Sequence, residues 1–281
     1  MKDMNAILQT HQAMKKNIVM TAAILVCGAC VLLSACKGSD TTPVSGTLEG
    51  PLTDDSIPAS TLKTIESATR FHTHDIMSDT VSNISVCSID EVDVPSGQTT
   101  TDGYGIVVTK NATSTNFLRI SHAREPEACY DATSGNLWLT TCAMWGTGVQ
   151  VECLRLIRFH ENDSAYIAAT VNPYDVQQAL CQRLGYHIDG QQLTLYDGRR
   201  EIATNTNTIT DMGGFDDEQP LWIGEQIQYD LSGDRPRLLI TPGVKFTTGL
   251  VLIYDDMPTL AAPITLDDNG KMTISDLEAV K

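Results

Sequence analysis

Basic residues are scarce in this chain: 19 Lys and Arg stand against 35 Asp and Glu, a formal net charge of −16 over 281 residues. A surface with that balance repels polyanions, which argues against nucleic acid and anionic lipid headgroups as partners. Beyond residue 36 there is no CxxC pair, so thioredoxin-like and zinc-ribbon readings have no footing. That region also lacks GxSxG, a glycine-rich phosphate loop and HExxH, the sequence marks of common hydrolases, nucleotide binders and metalloproteases. Regular alternation of strands with helices is missing too, and with it the doubly wound and β/α-barrel folds. An apolar run of membrane-spanning length occurs near the N-terminus.

That run, Ile18 to Leu33, lies inside Met14–Cys36 (MKKNIVMTAAILVCGACVLLSAC). Lys15 and Lys16 precede it, and the small residues Ser34 and Ala35 close it before Cys36. A positive head, an apolar middle and small residues before a processing point describe a secretory signal. About 20 helical residues also cover the hydrocarbon core of a bilayer, so an uncleaved anchor is the competing reading. The small residues and the lone closing cysteine favour cleavage. Translation from Met1 or from Met14 leaves the signal intact. The final Leu33-Ser34-Ala35-Cys36 resembles the lipobox of bacterial lipoproteins. The resemblance implies a signal peptide over 1–35, cut just before Cys36, whose acylated thiol and amine then hold the chain to a lipid bilayer. Several acyl chains make that attachment stable, since each buried CH₂ contributes about 0.8 kcal/mol and one chain alone is marginal. Lys37, in place of an aspartate, follows the cysteine; by the same resemblance this points to the outer membrane in a Gram-negative host. The small, polar residues that come next read as a flexible tether over 36–50. A β-rich exported domain over 51–281 follows, with a division into two halves near 172–190 left open.

Cutting at Cys36 removes Lys2, Lys15, Lys16 and Asp3, leaving 16 basic and 34 acidic residues and a net charge of −18. Besides Cys36 the processed chain keeps Cys87, Cys129, Cys142, Cys153 and Cys181. An odd number in an exported protein leaves at least one thiol unpaired within the chain. Cys142 and Cys153 flank the turn Gly146-Thr147-Gly148, and the register of that hairpin decides whether they face one another.

From Arg70 onward the pattern is strand after strand. Ile84–Val94, Gly105–Thr109, Asn116–Ile120, Leu137–Met144, Val149–Phe159 and Tyr166–Val171 are β-rich runs bounded by polar turns, and Arg155 and Arg158 suit a partly wet strand face. A short helix is expected around Ser60–Ala68. Asn172-Pro173 then announces a helix over about 173–184, with Asn172 as N-cap, a Val176/Ala179/Leu180/Leu184 stripe and Gly185 as the C-terminal glycine. Gln177, Gln178, Gln182 and Arg183 fall on its other side. Strands resume at Leu193–Tyr196 and Glu201–Thr204 around Asp197-Gly198, then Leu221–Tyr229, Arg237–Thr241, Leu250–Tyr254, and Ile264–Leu266 with Lys271–Ile274. The sum is an all-β sandwich or barrel of antiparallel sheets with one embedded helix, preceded by a signal helix.

Four constellations carry chemical interest. His72 and His74, two apart on a strand, share a face and can share a metal ion; HxH resembles the opening metal motif of amidohydrolase-type enzymes. A polar strand face accounts for the same letters. Pro58–Lys63 (PASTLK) resembles the active-serine motif of penicillin-recognising enzymes, implying Ser60 as nucleophile and Lys63 as proton-transfer partner, although Lys245–Gly249 is not the KTG element of that family. Thr265–Asp276, with Asp267, Asn269 and Gly270, is similar to a dockerin-type calcium loop; a hairpin turn uses the same residues. The acidic loop with Asp211, Asp216, Asp217 and Glu218, followed by Trp222, reads as a ligand-facing rim suited to calcium or sugar. An acidic turn leading into a core tryptophan is the plainer alternative.

The expectation is therefore a membrane-anchored exported lipoprotein whose acidic domain binds an envelope protein or glycan without catalysis. No cofactor is expected, with calcium as the alternative beside a metal ion at His72/His74, and nucleic acid is not a partner. The competing class is a cell-surface hydrolase working through His72/His74 or Ser60/Lys63.

Overall fold

In the computed structural model the longest pairing is the hairpin of Asn136–Gly146 with Val149–Phe159. The structure describes residues 42–43, 45–46, 71–93, 98–99, 105–112, 114–120, 124–146, 148–189, 192–205, 221–233, 235–245, 251–252, 257–267 and 269–280. The expected signal, Cys36 and the helix near Ser60–Ala68 lie outside them. The fold is all-β and sandwich-like, with several antiparallel sheets and, among the described residues, one α-helix.

The hairpin is apolar on both faces, and this builds the sandwich. Trp138, Leu154 and Leu156 enter the larger core, whereas Leu137, Leu139 and Ile157 enter a second one. Alternation of side chains across a strand makes this possible, because neighbouring residues serve opposite faces. The second core is closed by a sheet of Phe71–Asp79, Ile84–Asp93, Gly105–Lys110 and Ser114–Leu118, which contributes Ile84, Val86, Ile106 and Val108. The larger core is lined by Gln226–Asp230, Arg237–Ile240 and Thr259–Leu266, by the sheet of Leu184–Asp189 with Gln192–Asp197, and by the helix. Thr41–Lys281 is one compact unit, and its β-pairing begins early. Thr42 and Pro43 pair with Tyr186 and Gly185, and Ser45 and Gly46 with Trp222 and Ile223.

One edge of Val149–Phe159 has two partners. Gln150 and Val151 pair in parallel with Gln226 and Ile227, whereas Leu154 to Phe159 pair antiparallel with Ala165–Val171. On the opposite edge a bulge at Ala143 shifts the register between Val151↔Met144 and Glu152↔Cys142, which increases local twist where the two partners diverge. The same register answers the cysteine question. Cys142 pairs with Glu152 and Cys153 with Thr141, so the two cysteines sit on opposite faces and cannot bridge. Among the described residues the five cysteines form no disulfide.

Several expectations are corrected. Arg155 does not sit on a wet face; it is fully buried and donates to Thr141 Oγ1 at 2.7 Å. Gln177 is buried as well, its amide donating to Ile223 O at 2.7 Å, which ties helix Pro173–Arg183 to the neighbouring strand. The Asn172 side chain makes no capping bond, and Gly185 is not a helix-ending glycine. The chain passes through Leu184 directly into Leu184–Asp189, a strand whose Leu184/Tyr186 alternation was masked by the helical stripe before it. Leu221–Tyr229 is two strands, Leu221–Ile223 and Gln226–Asp230, broken at Gly224, whose φ of 130° only glycine adopts readily. They join different sheets.

A polar clasp closes the C-terminal end. Asp197, only 6% exposed, accepts from two nitrogens of Arg183, from Arg200 at 3.4 Å and from the Leu277 N–H at 3.1 Å. Arg183 also donates to Ile274 O at 2.8 Å. Burial pushes the Asp197 carboxyl up, but the bonds from Arg183, Leu277 and Arg200 outweigh it and hold the group below its ordinary 3.8. The contribution of the clasp is complete above that value and is lost as pH falls through the lower folded one. Replacing Asp197 by Ala leaves two arginines without their shared acceptor and is expected to cost about 2–4 kcal/mol at pH 7. Urea unfolding from pH 7 to pH 2 checks this: the wild-type advantage narrows only at the acidic end.

Candidate functional site

A half-buried carboxylate, Glu152, sits where the sheet divides. Between the two pairings of Val149–Phe159, the backbone no longer reaches Gln226–Asp230. The Glu152 side chain bridges that opening: Oε2 accepts the Tyr229 N–H at 3.0 Å, and Oε1 accepts the Gln150 amide at 2.9 Å. A carboxylate thus replaces a missing rung of the ladder. Burial raises the Glu152 carboxyl above its ordinary 4.5, the Tyr229 and Gln150 bonds pull it back, and the charges of Glu127 and Glu125 add to the rise. Beside it, the Tyr229 hydroxyl is buried with no hydrogen-bond partner among the described residues. Burial raises this phenol well above its usual value, reinforced by Cys153 and Glu152.

A second polar place is an open cleft of about 440 Å³ between Phe71–Asp79 and Arg124–Asp131, lined by His74, Asp75, Ser88 and Glu127 among others. Asp75 Oδ1 accepts the Cys87 thiol at 3.2 Å. Burial, then that hydrogen bond and the Asp75 charge, push the Cys87 thiol up to about 11. Burial likewise raises Cys181 to about 11, and Cys129 and Cys142 above their ordinary value. Thiols held in this way are protonated at neutral pH and are poor nucleophiles.

Of the residues singled out from the sequence, His74 is exposed on Phe71–Asp79 and lines the cleft. His72 lies on the same strand, but its side chain is outside the described ones. Among the described residues no three His, Cys, Asp or Glu side chains come together as a metal-holding group. Asp211, Asp216, Asp217 and Glu218 lie outside the described residues, as do Ser60 and Lys63. Trp222 is half-buried in Leu221–Ile223, with Lys245 Nζ 5.3 Å from its ring centre. Its indole N–H is buried without a partner among the described residues, so it points away from solvent. In the calcium-like stretch, Asp267 Oδ1 accepts from Asn269 N and Lys271 N, and Gly270, at φ +77°, closes the hairpin. Asp276 leans on Arg183 at 3.5 Å. The hairpin reading thus accounts for the residues that the calcium reading shares. Glu152 was missed because a lone glutamate in an apolar strand reads as one solvated rung; its position opposite the bulge carries no sequence signal.

Comparison with models of known families, with curated proteins and with solved structures returns no match to this chain. Among the described residues no helix is long and apolar enough to cross a membrane.

Two predictions follow from these groups. Because the folded state binds the Glu152 proton more tightly, stability falls as pH rises from 4.5 through the raised folded value. Glu152→Gln keeps an acceptor for Tyr229 and removes the buried charge. It should raise the melting temperature at pH 7 and leave it little changed at pH 4; a loss at pH 7 would mean that the charge itself stabilises the junction. For the thiols, iodoacetamide at about pH 7.5 should leave Cys87, Cys129, Cys142 and Cys181 largely unmodified until guanidinium unfolds the chain. Peptide mass spectrometry reads this out.

Proposed function

We propose that the chain is an exported bacterial lipoprotein, held to a bilayer by an acylated Cys36, whose acidic β-rich domain binds an envelope protein or glycan without catalysis. The observation that carries the reading is the sequence Met14–Cys36, with its lysines, apolar run and closing Leu33-Ser34-Ala35-Cys36. The way the described carboxylates are used supports binding over chemistry. Asp79, Asp131, Asp230 and Asp267 each accept backbone N–H groups of their own turns. Asp197 holds the clasp and Glu152 the junction. These acids stabilise a scaffold, and the net negative charge presents a surface suited to cationic or hydroxyl-rich partners.

Replacing Cys36 by Ser should move the protein from the membrane fraction to the soluble one and abolish acyl groups in its intact mass. Retention in the membrane without acylation would instead support the uncleaved anchor. The soluble form beginning at Lys37 should then show a rise in melting temperature with one member of a panel of calcium, zinc, chelator and glycans. Binding to the folded state adds RT ln(1 + [L]/Kd), about 2.7 kcal/mol at a hundredfold excess over Kd. A response to calcium or a glycan supports the binding reading, and zinc would favour a hydrolase using the His74 cleft. A flat panel turns the search to protein partners.

A further inference from the structure

We propose that the sheet, where it runs on past the larger core, carries a groove for a neutral glycan, with Asp131, Asn136, Arg158 and Tyr166 as its polar row and the stacked His160–Tyr166 pair as its platform. This rests on the binding reading above and names its ligand class and site. The register assembles the row. Asp131 pairs with Asn136 and Arg158 with Tyr166, and Asn136 Oδ1 accepts Arg158 Nε at 3.3 Å. Residues opposite one another in antiparallel strands share a face, so Arg124–Asp131, Asn136–Gly146, Val149–Phe159 and Ala165–Val171 present these side chains next to one another. The face is that of the larger core, because two residues further in Trp138 pairs with Cys129 and Leu156, and all three pack there. Three strand spacings make the row about 14 Å long. Leu231 and Pro236 wall it at the Asp131 end, around a hollow of about 190 Å³ that reaches Trp138. At the Tyr166 end the wall is the turn at Gly270, so close that a side chain there would meet Ala169 Cβ at 3.0 Å.

The side chains of the row keep hydrogen-bonding capacity in hand. Arg158 is half-buried, and among the described residues its two Nη groups meet no acceptor; the Asn136 amide nitrogen meets none either. Asp131 accepts Thr133 N at 2.8 Å through Oδ1 and the Ser134 hydroxyl through Oδ2, which leaves acceptor capacity on both oxygens. The Ser134 and Thr133 bonds also hold that carboxyl below its ordinary 3.8, so it is ionised at neutral pH. Tyr166 is 36% exposed, and His160, exposed as well, stacks on it with 4.3 Å between ring centres. A sugar ring uses this combination: its C–H face packs on a flat aromatic, and each hydroxyl at its rim both donates and accepts. An anion would meet Asp131 and a net charge of −16, whereas a cation would meet Arg158. One positive and one negative side chain in the same row therefore select a ligand without charge. An apolar peptide segment would cover the Arg158 and Asn136 donors without supplying acceptors, which costs their desolvation. The hollow is smaller than the roughly 300 Å³ at which sites for drug-sized ligands begin. It takes one ring, and the rest of a short oligosaccharide lies along the row.

The test uses full-length protein in a phosphocholine detergent and titrates it with hexasaccharides of glucose, mannose, xylose and N-acetylglucosamine, with a galacturonic acid hexasaccharide as the anionic comparison. At least one neutral hexasaccharide should bind, and more tightly than the anionic one. Tyr166→Ala and Arg158→Gln should each weaken that binding about tenfold. Gln178→Ala, on the exposed side of helix Pro173–Arg183, should leave it unchanged. Hydrogen exchange of the wild-type protein gives a readout that needs no variant: the bound sugar should slow exchange in peptides covering 131–136 and 158–166 and little elsewhere. Protection confined to another region, or binding that neither groove variant weakens, overturns the groove and leaves the binding reading in place. Stronger binding of the galacturonic acid hexasaccharide overturns the selection for neutral ligands. No binding of any neutral hexasaccharide at millimolar concentration overturns the glycan assignment. The intact mass of the same samples keeps the anchor separate, since absence of acyl groups on Cys36 refutes the lipoprotein reading whatever the sugars do.

Discussion

A strand has two edges, and each backbone N–H along them must find an acceptor or lose several kcal/mol of solvation on burial. Val149–Phe159 meets that constraint with three neighbours: Asn136–Gly146 along one edge, and Gln226–Asp230 followed by Ala165–Val171 along the other. Where the second edge changes partner, the ladder has an opening, and the Glu152 carboxylate takes the Tyr229 N–H that the backbone leaves. Because this strand and its hairpin partner also present apolar side chains to both cores, each core depends on the same wall. The Arg155 side chain, buried on the face of Leu139 and Ile157, adds its bond to Thr141 across that wall.

Much of the fold was legible because strand periodicity is local. The hairpin around Gly146-Thr147-Gly148, the strand beginning at Ile84, and the turns at Gly198 and Gly270 all follow from alternation and glycine placement. Most of the misses depend on residues distant in sequence. Gln177 looks like a surface residue until Ile223 O is found beside it. Leu221–Tyr229 looks continuous until Gly224 sends its halves to different sheets. Arg155 alternates with leucines as a wet-face residue would, yet the second core covers that face. The candidate site was less legible than the fold. Trp222 turns its N–H inward, and the cleft beside His74 is completed by Glu127 from a strand that the sequence pattern did not announce.

The functional reading joins two separate lines. The proposal of export and lipid attachment rests on the residues up to Cys36. The character of the domain comes from a scaffold in which Asp79, Asp131, Asp230 and Asp267 serve turns, Asp197 the clasp and Glu152 the junction, and in which burial keeps Cys87 and Cys181 protonated. Both lines agree with a domain that is stable at an envelope surface and recognises by shape and charge.

The central structural claim is that one hairpin supports both cores, and native-state hydrogen exchange tests it most directly. The amides of Leu137–Leu139 and Leu154–Ile157 should be the slowest in the domain, exchanging only through global unfolding, with the same denaturant dependence on both sides of the wall. Exchange of Ile84, Val86 and Val108 through a separate opening, while the hairpin amides remain protected, would also be consistent with a shared wall. Hairpin amides that exchange before either set of core strands would contradict it.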